Sequence, residues 1–150
     1  MPNDSRIDLA LYERFLTEKG LTWEPAPDGS LFYQNLGRTF ALITAGSDGH
    51  RFRMVLPWLR SWGDQDRAIP GPLFATVSRR CPGTVLSVQH DWLRAEIEDA
   101  VEDLALLGAA FGRCTTRLVE ASGIARDLLG PAPGDPPWKP ERTRYSPNLG

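Results

Sequence analysis

An eighteen-residue stretch, Thr39-Phe-Ala-Leu-Ile-Thr-Ala-Gly-Ser-Asp-Gly-His-Arg-Phe-Arg-Met-Val-Leu56, constrains the fold more than any other part of the chain. Side chains alternate in character on either side of Ser47-Asp48-Gly49, the period-two pattern of two antiparallel strands around a turn. A three-residue loop with Gly49 in the left-handed conformation sets Gly46 opposite His50, Thr44 opposite Phe52 and Leu42 opposite Met54. Phe40, Leu42, Phe52, Met54 and Leu56 then share one face; Thr39, Ala41, Ile43, Arg51, Arg53 and Val55 share the other. A slip of one residue would bring Arg51 and Arg53 beside Phe40 and Leu42, so the pattern itself selects the register. Burial of the five large apolar side chains contributes roughly 1.5–3 kcal/mol each. The hairpin is therefore expected at the centre of the core.

The flanking segments dictate what surrounds it. Asp4 or Ser5 is suited to cap a first helix with Leu9, Tyr12, Phe15 and Leu16 on one side, ended by Gly20. Residues 21–26 read as extended, Asp28-Gly29 as a turn and residues 30–36 as a strand, and Gly37-Arg38 turns into the hairpin, giving a three-stranded meander. After Leu56, residues 57–72 read as a long connection. In it Trp58 and Trp62 stand one helical turn apart, placed to pack over the core or to meet a partner. Pro72 opens a short helix with Leu73, Phe74 and Val77 as its apolar side, closed by Cys81-Pro82-Gly83. Strands over residues 84–89 and 92–98 follow, joined at His90-Asp91. In the second of these, Leu93, Ala95 and Ile97 point inward.

A long helix over residues 101–129 carries the stripe Leu104, Leu107, Phe111, Cys114, Leu118, Ala121, Ala125 and Leu128. Gly108 and Gly112 inside it cost about 1 kcal/mol each relative to alanine. Their presence points to a close approach, by the protein's own sheet or by a second subunit. From Gly130 to Gly150 six prolines in 21 residues leave no helix or central strand, and the segment reads as an extended or disordered tail despite Trp138 and Tyr145. The sum is a two-layer α+β domain over residues 1–129: an antiparallel sheet of a three-strand meander plus a two-strand hairpin, with an N-terminal, a short middle and a long C-terminal helix, followed by a Pro-rich tail over 130–150.

Composition narrows the function classes. The chain of 150 residues is long enough to bury one core and is 41% hydrophobic, with no run of about 18 apolar residues to span a bilayer. Met1 to Asp8 carries acids where a secretory signal has a basic end and an apolar run, so a cytoplasmic protein is expected. In that reducing compartment Cys81 and Cys114, which lack metal-ligand spacing, are expected as free buried thiols. A net charge of −2 conceals a polarity. Residues 38–80 hold seven arginines against three acids, whereas residues 91–103 hold six acids and only Arg94.

Catalytic, phosphate-loop and zinc patterns do not occur, so no catalytic residue, metal site or cofactor is expected. His90 beside Asp91 has the make-up of an oriented base, yet it sits in a turn with no activated nucleophile to serve. Arg38, Arg51 and Arg53 on one sheet face, with Tyr33 or Phe32 to stack a base, match the recipe of sheet-based single-strand binders. A nucleic-acid accessory role through those arginines is the alternative reading. The acid block Glu96, Glu98, Asp99, Glu102 and Asp103 would oppose it if it lay close by.

The element order resembles the YbjN-like proteins, which share their fold with bacterial type III secretion chaperones. The resemblance covers about residues 7–129. It is carried by the helix end Leu11-Tyr-Glu-Arg-Phe-Leu-Thr-Glu-Lys-Gly20, by the Phe40 to Pro57 hairpin ending in proline, and by the block Ala75 to Val101 leading into a long helix. It implies a non-enzymatic, commonly homodimeric protein that binds another protein, in a housekeeping or stress role rather than secretion. Such a protein holds an extended client segment on its sheet and helix surface. The contacts expected here are Trp58, Trp62, Arg51 and Arg53.

Overall fold

Asp8 starts the first helix. Its carboxylate accepts the Leu11 amide at 2.9 Å, and α1 runs Leu9–Glu18. The computed structural model describes residues 7–44, 51–63, 68–101 and 103–130. The caps expected at Asp4 or Ser5, the loop at Ser47-Asp48-Gly49 with Gly46 and His50, and the tail beyond Gly130 lie outside them. After Gly20, at φ +76°, come β1 (Trp23–Pro25), β2 (Leu31–Asn35), β3 (Arg38–Ile43) and β4 (Arg51–Ser61), then α2 (Gly71–Arg80), β5 (Thr84–Gln89), β6 (Trp92–Ala100) and α3 (Leu107–Leu129).

The strands form one antiparallel sheet in the order β1-β2-β3-β4-β6-β5. The expected meander gains β1, which pairs Trp23 with Tyr33. The central hairpin has the register its faces demand, with Leu42 opposite Met54 and Ile43 opposite Arg53. Two of the turns use left-handed backbone without glycine at the first position: Leu36-Gly37 (φ 54°, 74°) and His90-Asp91 (φ 52°, 66°). Paired positive φ matches the right-handed twist of the flanking strands and makes two-residue hairpins.

One face of the sheet carries all three helices. Leu31, Leu42, Met54 and Ile97 form a row across β2, β3, β4 and β6, and each is no more than 2% exposed. Above that face, Tyr12 and Leu16 of α1, Leu73 and Val77 of α2, and Phe111, Leu118 and Ala121 of α3 join the same buried cluster. Phe111 is the aromatic hub: its ring meets Phe15, Tyr33 and Phe52 at centroid distances of 5.0, 5.8 and 6.4 Å. Cys81 and Cys114 are free and buried. Burial pushes the Cys114 thiol up to about 11 and the Cys81 thiol upward as well.

Four local expectations give way. Strand β4 does not stop at Pro57 but continues to Ser61, because the pairing with β6 shifts register between Leu56 and Arg60. A proline that cannot donate is tolerated at such an irregularity. Trp58 is therefore a strand residue, and the helical spacing of Trp58 and Trp62 is not realised. The last helix begins at Leu107, after a 3-10 turn at Leu104–Leu106 whose start is capped by Asp103 accepting from the Ala105 amide at 3.0 Å. The apolar stripe is buried from Leu107 to Ala125, whereas Leu128 is 49% exposed. Phe74, assigned to the buried side of α2, is 54% exposed; Leu73 and Val77 do that work alone.

The fourth concerns Gly108 and Gly112. Both lie on the exposed side of α3, and a Cβ at either would meet nothing within 4 Å. The protein's own sheet is not what they accommodate. Gly112→Ala is expected to stabilise an isolated chain by roughly 0.5–1 kcal/mol through the restricted unfolded state and better helix propensity. Urea denaturation measures this. A loss of stability together with a fall in mass on light scattering would instead assign that stripe to a second copy.

Candidate functional site

The opposite face of the sheet has no helix on it among the described residues. Its central row is Glu24, Phe32, Ala41, Val55, Glu96 and Val85, one residue from each strand in consecutive register. Ala41 and Val55 are buried within this face, at 4% and 1% exposure, while Val85 at its margin is 60% exposed. Phe32 packs against Trp58 with ring centroids 5.0 Å apart and planes tilted by 54°. Both rings are half-buried, so they present an aromatic ledge over the β2–β4 side.

Beside the ledge runs a charge ladder. Arg53 donates through Nε to Glu96 at 3.1 Å, with a second contact from its Nη2 to the same carboxylate, and lies 3.5 Å from Glu98. Arg51 meets Glu98 at 3.2 Å, and Arg94 meets Glu96 at 3.2 Å. The hydrogen bond to Glu96 holds the Arg53 guanidinium still more firmly protonated than usual. Half-exposed pairs of this kind contribute about 0–1 kcal/mol each, so their effect is to fix the side chains in a pattern. The acid block thus lies directly across from the hairpin arginines. Asp99 takes the other side, where it pairs with Arg113 of α3 at 2.7 Å; Glu102 lies outside the described residues.

The structure redistributes the residues singled out in the sequence. Trp58, Arg51 and Arg53 come together on the helix-free face. Trp62 does not join them: it is 5% exposed and belongs to the core cluster, anchored by its amide donating to the Asp91 carbonyl at 2.7 Å. Arg38 parts from Arg51 and Arg53 altogether. It shares the parity of Phe40 and Leu42, and its Nε lies 3.5 Å from the Ser122 hydroxyl of α3. The three arginines of the nucleic-acid recipe do not share a face, and two of them are matched with carboxylates. Tyr33 is fully buried, out of reach of a base.

His90 and Asp91 are exposed turn residues. Among the described residues no group of three or more His, Cys, Asp or Glu side chains is arranged to hold a metal ion, and no helix is long and apolar enough to cross a membrane. Val85 went unremarked in the sequence, although its place between the inward-facing Thr84 and Leu86 marks it as an outward apolar residue. Arg60 and Arg126 were also missed, because their positions in strand and helix give no hint that the ends of the two elements meet. No family model matches the chain, and no curated protein matches its sequence.

Proposed function

We propose that the chain is a non-enzymatic, homodimeric protein-binding module of the cytoplasm, chaperone- or adaptor-like in the manner of the YbjN-like proteins, which holds an extended segment of a partner protein on its helix-free sheet face. The observation that supports this reading most is the face itself, which carries no helix among the described residues: it has aromatic rings at Phe32 and Trp58, an exposed Val85, and a fixed alternation of Arg and Glu between them. Strands are about 4.8 Å apart, so the path from Phe32 in β2 to Val85 in β5 is roughly 19 Å, the span of about six residues of extended chain. Apolar side chains of such a segment would stack on the ledge, and its charged groups would find both signs already in place.

The experiment is affinity capture from the native cytoplasm with the full chain and its variants. Trp58→Ala is expected to lose the partner, and Phe74→Ala, an exposed aromatic on the helical side, to retain it. Equal recovery with both variants would remove the helix-free face from the site. The same preparations on light scattering are expected at twice the chain mass.

A further inference from the structure

The chain leaves α3 at a fixed point. Gly130 sits at φ +87°, and its amide donates to the Arg126 carbonyl at 2.8 Å, closing the last turn of the helix. Its own carbonyl accepts Arg60 Nη1 at 2.6 Å, which holds the exit beside the end of β4. Pro131 follows, and a proline there cannot extend the helix. The exit opens into a cleft of about 460 Å³ that Gly130 itself lines, together with Arg38, Leu59, Arg60, Ser122 and Arg126.

The cleft does not end there. A second recess of about 300 Å³ shares Gly37, Arg38, Leu59 and Ser122 with it and reaches Leu56 and Trp58. It lies where the sheet opens. β3 begins at Arg38 and β4 runs on to Ser61, yet among the described residues their pairing stops at Ala41 and Val55. Beside the gap β4 carries its register shift, between Leu56 and Arg60, and such an irregularity bends a strand. The two recesses thus form one path from Gly130 past Ser122 to Trp58, whose ring packs against Phe32 on the helix-free face.

We infer that residues 131–140 of the chain itself occupy this path as a polyproline II segment and bring the Trp138 ring onto Trp58. The residue types suit it. Pro133 and Pro136, and again Pro137 and Pro140, stand three apart, the repeat of that helix, so each pair shares one edge. A segment of this kind is extended before it binds and docks in aromatic-lined grooves at low entropic cost. The reach suffices as well. Trp138 lies eight residues beyond Gly130, about 25 Å of polyproline II chain, whereas Trp58 is two strand residues, about 7 Å, from the Arg60 that grips Gly130. Tethering also gives the segment a millimolar effective concentration at its own groove, so shallow contacts are enough. A segment seated there competes with a partner for Trp58, a consequence that rests on the docking role proposed for the helix-free face.

The test is a nitroxide attached to the full chain through Lys139→Cys, next to Trp138; Cys81 and Cys114 are buried and leave the new thiol to the reagent. In the amide NMR spectrum the signals of Gly37, Leu59 and Ser122 are expected to be lost to paramagnetic broadening. The signal of Gly108, about 21 Å back along α3 from Ser122, is expected to survive. Adding Trp58→Ala to the labelled chain should restore the Gly37 and Ser122 signals. Uniform broadening or none would overturn the inference, and so would broadening that Trp58→Ala leaves unchanged. When nitroxide-bearing chains without isotope are mixed with isotope-labelled chains without nitroxide, the three signals are expected to persist. Their loss in the mixture would assign the segment to the groove of a second copy and overturn the inference too. Broadening involves no partner protein: if Trp58→Ala and Phe74→Ala recover a captured partner equally while the broadening holds, the docking role fails and the tail site stands.

Discussion

Replacing Phe111 by alanine is expected to destabilise the domain by about 3–5 kcal/mol, the range for removing a buried aromatic side chain. The cost lies at the top of that range, because Phe111 joins elements that otherwise touch little. Its ring contacts Phe15 of α1, Tyr33 of β2 and Phe52 of β4, so its removal leaves a void bordered by three aromatics that cannot collapse together without moving strands. Edge-to-face and tilted aromatic pairs add about 0.5–1.5 kcal/mol each beyond area burial. Against a total stability of about 5–15 kcal/mol, the loss should be plain in a urea titration as a lower midpoint at unchanged slope. Phe74→Ala, at a 54% exposed position, should change the midpoint by about 0.5 kcal/mol or less. Similar costs at the two positions would contradict the layer arrangement.

The two tryptophans should separate stability from recognition. Trp62→Ala removes a side chain that is 5% exposed and packed in the core, and is expected to cost about 3–5 kcal/mol. Trp58→Ala removes a half-buried ring whose described partner is Phe32. Its expected cost is the aromatic pair and a fraction of the transfer term, about 1–2 kcal/mol. Measured side by side by denaturation and by partner capture, the first variant should be weakly folded and the second folded but inactive. If Trp58→Ala proved as destabilising as Trp62→Ala, the ledge would belong to the core and the proposed docking face would lose its centre.

These four aromatics also show where a sequence is legible. The faces of the central hairpin follow from a two-residue period that a single slip would invert, and Leu42 opposite Met54 follows with them. Leu93, Ala95 and Ile97 were readable for the same reason, and all are buried. Pro57 misled because proline normally closes a strand, and the irregularity that tolerates it depends on β6, more than thirty positions away. The error carried Trp58 and Trp62 into a supposed linker and hid that they lie on opposite sides of the sheet. Arg38 resembles Arg51 and Arg53 in charge but shares the parity of Phe40, and position decides its face: its Nε lies 3.5 Å from the Ser122 hydroxyl of α3. The convergence of Arg38, Arg60 and Arg126 was beyond sequence reading, since no local pattern relates a strand start, a strand end and a helix end.

The pairing of β4 with β6 has a consequence for how the molecule assembles. Every other strand pair joins neighbours in sequence through a short reversal, Trp23 with Tyr33 or Thr84 with Ile97. Arg53 and Glu98, by contrast, meet across 45 positions of chain. Local hairpins form in about 1–10 μs, whereas distant pairing must first meet the entropy of closing a long loop. The β1–β4 meander and the β5–β6 hairpin are thus expected to form ahead of the long-range joint between them. The joint between them lies against α3, which touches both β4 and β6.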